Sequence, residues 1–185
     1  AYHSTSENPS ASSRTVTFTL TDAASASATA TRTIDVATAN DPPTISSSGT
    51  LSYTENDAAT AINSSITLAD DEANWNSGTL AIQITANNEA SDTLSILTSG
   101  DVSISSTNIS VSGTQIASVN AITATNNNTM TFTFNANATN ANIQTLARAI
   151  AYHSTSDNPS TSSRTVTFTL TDAASASATA TRTID

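Results

Sequence analysis

A short acidic segment carries the residues of this sequence best suited to bind a metal ion. Asp70, Asp71 and Glu72 are consecutive, Asn74 follows them, and no Lys or Arg lies between positions 68 and 80. Carboxylate and amide oxygens are ligands that calcium prefers, and neighbouring carboxylates repel one another unless a cation offsets their charge. The segment therefore predicts either a calcium site or a solvated acidic turn. No stretch follows the twelve-residue EF-hand pattern.

Residues that could act in catalysis are present without a suitable arrangement. His153 and its counterpart His3 are each followed by Ser, and Asp157 lies a few positions beyond His153. A catalytic triad needs side chains that converge from separate elements, so we interpret His153 as a residue that orders the turn after a helix. Because the chain has no Cys, it also has no Cys nucleophile, thiolate zinc site or disulfide. We predict that the protein is not an enzyme.

Composition and charge indicate what kind of fold the chain has and which kinds of partner it is not expected to bind. The chain has 185 residues, 37% of them hydrophobic and only 11% charged, and β-forming residues alternate with small polar ones. The net charge is −10, with fifteen acidic residues against five basic ones. This balance argues against nucleic acid as a partner. No apolar stretch approaches the roughly 20 residues that span a bilayer, so we expect no membrane insertion. Any targeting signal is expected outside these residues.

The strongest signal in the sequence is a long internal repeat. Residues 1–35 recur as residues 151–185, and the two copies differ only at Glu7/Asp157 and Ala11/Thr161. Near-identity at a fixed offset of 150 positions is typical of a tandem array of like units. The chain therefore combines the end of one unit with most or all of the next.

The junction between the two units is marked by consecutive prolines. Residues 36–44 read VATANDPPT, and Pro42 and Pro43 exclude a helix there and interrupt any strand pairing. We place the boundary so that residues 1–41 contain the C-terminal strands of a preceding repeat plus a linker. Residues 42–185 then form one essentially complete repeat.

Alternating apolar and polar residues between turn signals predict about ten short strands. One segment has helical spacing instead: in residues 139–152, Ile143, Leu146, Ala147 and Ile150 share one helical face, and Thr139 or Asn140 is a suitable N-cap. We predict an antiparallel Greek-key β-sandwich with one short helix near residues 140–150. The predicted strands cover residues 50–54, 65–68, 79–85, 93–97, 102–105, 108–112, 115–119, 130–135, 165–171 and 178–184.

Three side-chain patterns are interpreted as structural. Threonines alternate with Val166, Phe168 and Leu170, which predicts a strand with its apolar face in the core. The arginines beside apolar elements (Arg148, Arg164 and Arg182) are expected to pair with Asp or Glu. Trp75, the single Trp, either anchors the acidic segment against the sandwich or stacks on a sugar.

These features together resemble the long cadherin-like, or Ig-like, repeats of giant bacterial surface adhesins, including those exported with RTX-type signals. The resemblance is carried by residues 132–185, by ANDPPT at 39–44, which is similar to the inter-repeat linker, and by LADDEANWNSGTL at 68–80. It implies calcium near the junctions, held by residues that match the linker, the early Glu-Asn and the acidic segment: Asn40, Asp41, Glu55, Asp70, Asp71 and Glu72. Asp22 and Asp172 are followed by Ala-Ala where many relatives have Asp-Gly-Asp, and one ligand is thereby lost.

The resemblance implies a non-catalytic extender at the bacterial cell surface, secreted, that supports adhesion or biofilm formation, with neighbouring repeats as partners. The alternative is a glycan- or cell-surface-binding module of the same adhesin, with Trp75, Tyr53 and the Asn/Thr-rich loops as contacts. Residues 1–35 lack the rest of their own sandwich, and a lone hairpin is marginally stable in water. They are predicted to be either a frayed tail or a segment that mediates strand-swapped self-association.

Overall fold

The structure, a computed structural model, describes residues 1–6, 9–71, 74–98 and 100–185. The chain divides into two compact units, Ala1–Asp41 and Pro42–Asp185. The described residues form sixteen strands and one helix: β1 (Arg14–Thr21), β2 (Ser27–Ile34), β3 (Thr44–Ser46), β4 (Thr50–Leu51), β5 (Thr60–Ala61), β6 (Thr67–Ala69), β7 (Thr79–Ala86), β8 (Asp92–Ile96), β9 (Val102–Ser105), β10 (Asn108–Val111), β11 (Thr114–Val119), β12 (Ala124–Thr125), β13 (Met130–Phe134), α1 (Asn140–Arg148), β14 (Ile150–Ser154), β15 (Arg164–Thr171) and β16 (Ser177–Ile184).

The second unit is a β-sandwich, as predicted. Its large sheet has the strand order β4-β16-β15-β7-β13-β11-β10-β9, and its smaller sheet has the order β12-β8-β14-β5. At several points the chain passes from one sheet to the other, as between β7 and β8 and between β14 and β15. Such crossovers are the Greek-key feature of these folds. All pairs are antiparallel except β16 with β4, which is parallel. A two-stranded sheet, β3-β6, completes the unit.

The two sheets share one hydrophobic core, which explains why they pack face to face. Phe132 and Phe168 of the large sheet lie in the same cluster as Leu94 and Tyr152 of the small sheet. In β15 every second residue is buried, so Val166, Phe168 and Leu170 are each 0% exposed while the threonines between them face outward. The core interpretation of this Thr-rich pattern is confirmed.

The helix α1 begins where the sequence predicts. Thr139 is the N-cap: its side-chain oxygen accepts a hydrogen bond from the backbone N–H of Asn142, and the Asn142 side chain accepts one from the Thr139 N–H at 2.8 Å. Ile143, Leu146 and Ala147 are buried, in agreement with the predicted face. Among the residues that the structure describes, no helix combines the length and apolar character needed to cross a bilayer.

The predicted extent of the helical segment is wrong at its C-terminal end. The helix ends at Arg148, and Ile150–Ser154 form β14, paired residue by residue with β8. Ile150 continues the helical spacing of apolar residues, yet it also fits the core face of a strand, and pairing with β8 decides between the two. His153 consequently lies within β14, opposite Thr93, and not in a turn after the helix.

The shortest strands are absent from the sequence prediction. β3, β5 and β12 have only two or three residues each, which is too short for an alternating pattern to be recognised. These strands are defined by their partners β6, β14 and β8.

The first unit contains the hairpin β1–β2, whose sequence is identical to that of β15–β16. The two hairpins have the same register: Arg14 lies opposite Ile34 as Arg164 lies opposite Ile184, and this correspondence continues to the turn. Their environments differ, because Phe18 is 61% exposed and Leu20 is 77% exposed. The same hairpin therefore forms with and without a core behind it.

We predict that Phe168→Ala lowers the free energy of unfolding of the second unit by about 3–5 kcal/mol, because it leaves a cavity at a fully buried position. Denaturant unfolding followed by the fluorescence of Trp75, which is 1% exposed, measures the change.

The matched control is Phe18→Ala, the same substitution in the same local sequence. It should change that free energy by less than about 0.5 kcal/mol, as surface substitutions do. Equal effects of the two substitutions would contradict the assignment of Phe168 to the core.

Candidate functional site

The residues predicted to hold calcium lie in several places. Asn40 and Asp41 are at the end of the first unit, where the Asn40 side-chain amide donates to the Asp41 carbonyl at 3.2 Å. Asp70 and Asp71 directly follow β6, and the Asp70 carbonyl accepts a hydrogen bond from the Asn140 side chain at 2.8 Å. Glu55 is exposed in the turn after Tyr53. Glu72 lies outside the described residues.

Calcium needs more ligands than the described part of the chain gathers in one place. Within residues 1–6, 9–71, 74–98 and 100–185, no group of three or more His, Asp or Glu side chains is placed to hold a metal ion. Asp70 and Asp71 are neighbours, whereas Glu55 lines a cavity to which neither contributes. The described residues thus do not by themselves build a calcium site, and the calcium ligands remain a prediction.

A cavity among the described residues lies beside Tyr53 and Glu55. It has a volume of about 320 Å³, at the lower limit of ordinary ligand pockets. Its wall combines two tyrosines, several hydroxyl groups and one arginine: Tyr53, Glu55, Tyr152, Ser154, Pro159, Ser160, Thr161, Ser163, Arg164, Ile184 and Asp185.

Arg164, one of the residues that line this cavity, belongs to a buried ion-pair network. Arg164, the first residue of β15, places its Nε 3.1 Å from Oδ2 of Asp92 and its Nη2 3.1 Å from Oε2 of Glu89. The Asp92 side chain is completely buried and that of Arg164 is 7% exposed. The predicted pairing of Arg164 with acidic residues is confirmed, whereas the hydrogen bonds of Arg148 and Arg182 go to the carbonyl oxygens of Ile66 and Thr50.

The remaining polar atoms around Asp92 complete the network. Its Oδ1 accepts the hydroxyl of Tyr152 at 2.7 Å, and its Oδ2 also accepts the backbone N–H of Glu89 at 2.9 Å. Burial, the hydrogen bond to Asp92 and the charge of Asp92 together raise the pKa of Tyr152 far above its ordinary value. Burial lowers the pKa of Arg164, but its hydrogen bond to Asp92 and the nearby negative charges outweigh this effect, so its pKa is raised.

The arginine also organises the loop that precedes its own strand. Arg164 Nη1 donates to the carbonyls of Ser160 and Ser162 at 2.7 and 3.1 Å. The N–H of Ser160 donates to Oε1 of Glu89 at 2.8 Å. The Arg164 guanidinium therefore connects three segments: the loop that contains Ser160 and Ser162, the strand β15, and the segment before β8. This role of Arg164 is structural.

In the duplicate hairpin Arg14 reproduces only the local part of this arrangement. Its Nη1 donates to the carbonyls of Ser10 and Ser12 at 2.9 and 3.0 Å. Its guanidinium carbon lies 5.8 Å from the centre of the Tyr2 ring. The loop contacts thus follow from local sequence, while the ion pair requires the sandwich that supplies Asp92 and Glu89.

The aromatic residues proposed to contact a glycan are engaged within the protein. Trp75 is buried, its ring packs edge-on against Phe134, and its Nε1 donates to Asn140 at 2.8 Å. This agrees with the anchoring interpretation and leaves no ring face for a sugar. Tyr53 packs edge-on against Tyr152, with ring centres 4.9 Å apart, and its hydroxyl donates to the carbonyl of Asp57 at 2.5 Å.

His153 and Ser154 do not form a catalytic pair. They are consecutive residues of β14, so their side chains leave opposite faces of the sheet. Ser154 Oγ lies 3.2 Å from Ser91 Oγ, and its backbone N–H donates to the Tyr53 hydroxyl.

Asp92, Glu89 and Tyr152 are the residues of this network that sequence reasoning missed. Asp92 begins a strand, where a charged residue is typical of a solvated strand end, and the helical spacing at residues 139–152 predicts a helix that includes Tyr152. The available signal is Arg164 itself: it is one of only five cations, and an arginine at the start of a strand that is buried in the core favours a carboxylate partner.

Comparisons of the sequence with protein-family models and with curated proteins find no match.

Replacing Arg164 by Met is predicted to lower the free energy of unfolding by about 3–5 kcal/mol, because the buried Asp92 carboxylate loses its cation. Denaturant unfolding monitored through Trp75 measures this loss. Arg14→Met, made in the identical local sequence without a buried carboxylate, should change the value by less than about 0.5 kcal/mol. Similar losses in both variants would show that only the loop contacts matter.

The raised pKa of Tyr152 predicts a loss of stability in alkali. In the unfolded chain a Tyr ionises near pH 10, whereas the folded protein retains the Tyr152 proton. The protonated Tyr152 hydroxyl therefore contributes fully to the free energy of unfolding below about pH 10. This contribution is lost as the pH rises towards the pKa of Tyr152 in the folded protein. Unfolding free energies measured between pH 9 and about 12 should fall more steeply for the wild type than for Tyr152→Phe. Parallel curves would contradict this assignment.

Proposed function

We propose that the chain is a non-catalytic extender segment of a large secreted bacterial surface adhesin, which spaces other domains and bears tension along the chain. The observation that carries the proposal is the duplicated hairpin. Residues 151–185 contribute the last strands of a sandwich, and residues 1–35 repeat the same strands 150 positions earlier. A chain that repeats its closing hairpin is expected of a tandem array of such sandwiches.

The way in which the second unit joins its two ends supports a mechanical role. The early strand β4 pairs in parallel with β16, the last strand, so that Thr50 and Leu51 lie beside Thr183 and Ile184. Beyond the strands, the Tyr53 N–H donates to the Asp185 carbonyl at 2.7 Å, and the Asp185 N–H donates to the Leu51 carbonyl at 2.9 Å.

Tension applied to the two ends of this unit loads those contacts together. Because β4 and β16 run in the same direction, pulling β4 from its N-terminal side and β16 from its C-terminal side slides the strands past one another. The hydrogen bonds between them then share the load, whereas a perpendicular pull would break them one after another. An extender repeat benefits from this arrangement, since its ends are the points at which neighbouring repeats pull.

Single-molecule pulling tests the proposal. We expect the unfolding force of the second unit to be higher when it is pulled through Pro42 and Asp185 than when it is pulled through Ser163 and Asp185. Arg164 lies opposite Ile184 at the adjoining ends of β15 and β16, so the second pull separates these two strands one residue pair after another. Equal forces in the two geometries would remove the mechanical argument.

Calcium at the junctions is the second part of the proposal. The family resemblance supports it through Asn40, Asp41, Glu55, Asp70, Asp71 and Glu72, and a bound ion would make each junction stiffer. A ligand that binds only the folded state raises its stability by RT ln(1 + [L]/Kd).

We therefore expect the melting temperature to be higher in calcium than in chelator, and Asp71→Asn to reduce that difference. Magnesium at the same concentration is the control for ionic strength. Identical midpoints in calcium and chelator would eliminate calcium from the proposal.

The alternative, a glycan- or cell-surface-binding module, keeps two of its proposed contact regions, the cavity beside Tyr53 and the exposed Asn-rich loop at residues 126–128. A glycan-array screen separates the two functions, because an extender binds none of the immobilised sugars. Binding that is lost on replacement of Tyr53 by Ala would favour the alternative.

A further inference from the structure

The hairpin β1–β2 exposes an apolar face that its duplicate buries completely. Phe18 and Leu20 are 61% and 77% exposed, whereas Phe168 and Leu170 are 0% exposed. Burying such side chains stabilises the state in which they are buried. Exposed apolar faces of this kind mark surfaces that bind another protein surface.

The exposed hairpin already has the conformation that its duplicate adopts in the sandwich. The cross-strand register is the same at every paired position. In the turn, Asp22 Oδ1 accepts the N–H groups of Ala24 and Ala26 at 2.9 Å, as Asp172 does for Ala174 and Ala176. Docking of β1–β2 therefore needs little reorganisation, which reduces its entropic cost.

The second unit shows which surface complements that face. β15 pairs with β7, so that Val166, Phe168 and Leu170 lie opposite Ile84, Ile82 and Leu80. On the other side of the hairpin, β16 pairs with β4. We call the place between β7 and β4 the hairpin position. Asp92 and Glu89 beside it hold the arginine that begins the hairpin.

We propose that the apolar face of β1–β2 docks into the hairpin position of a second copy of this chain whose own β15–β16 does not occupy that position. There Val16, Phe18 and Leu20 pack as Val166, Phe168 and Leu170 do, and Arg14 pairs with the buried Asp92 of the second copy. This inference rests on the duplication and the exposed face, and not on the mechanical role proposed above.

The number of hairpins and positions determines when docking occurs. Residues 1–185 contain two hairpins of this sequence, and the described residues form one hairpin position, which β15–β16 fills. Exchange of hairpins between two copies of residues 1–185 buries no additional apolar surface. Docking therefore becomes favourable when the second copy has an open hairpin position, and the partner must be another molecule because the position in the same chain is filled.

A pair of full-length chains tests the proposal. The acceptor is the double variant Phe18→Asp/Phe168→Asp, which has no hairpin able to pack, and the donor is the wild type. We expect the two chains, refolded together, to form a one-to-one complex detectable by native mass spectrometry. The matched control is a Phe18→Asp donor, whose own sandwich is intact, and it should yield at least about tenfold less complex. Equal yields from both donors, or no complex, would overturn the proposal.

The single variant Phe168→Asp provides a second measurement, because its one competent hairpin is β1–β2. We expect assemblies of discrete mass with Trp75 protected from solvent. A chain that remains unfolded would overturn the proposal. A folded monomer would also overturn it, since β1–β2 would then fill the hairpin position of its own chain.

Discussion

The packing of β15 in the middle of the large sheet is the interaction on which the rest of the second unit depends. Its inward face supplies Val166, Phe168 and Leu170 to the core, and its two edges pair with β7 and β16. Through β16 it also determines the parallel pairing with β4, by which the beginning and end of this unit meet. Without β15, the large sheet would end at β7, with an apolar face exposed and an edge unpaired.

The ion pair at the start of β15 makes this packing specific. Arg164 of the large sheet carries the charge that compensates the completely buried Asp92 of the small sheet, and the same carboxylate accepts the hydroxyl of Tyr152 from the adjacent strand β14. An apolar strand alone could shift by two residues and still present an alternating face to the core. A shift would separate the guanidinium from Asp92 and leave a charge buried without its partner, so the network favours a single register.

Repetition of the hairpin creates a competition for one position in the sheet, which a sandwich with a single copy of the hairpin does not have. Two hairpins of identical sequence can compete for one position, because each already has the same register and the same turn. In a tandem array that satisfies the proposed function, each hairpin has one position to fill, and the apolar face seen on β1–β2 is covered. The duplication thus accounts for both the exposed face and the surface that suits it.

The alternation of Thr with Val166, Phe168 and Leu170, the Thr139 cap and the unit junction at Pro42 and Pro43 could be interpreted from the sequence, because each depends on residues close together in the chain. The strand β14, the shortest strands and the Asp92 network could not, since they depend on pairing between segments far apart. The hairpin makes the distinction clear. Arg14 and Arg164 bind their own loops in the same way, so local sequence determined the hairpin, its turn and its register. Only tertiary structure decided that Phe168 is buried while Phe18 is exposed, because burial depends on whether a complementary sheet face lies behind the strand.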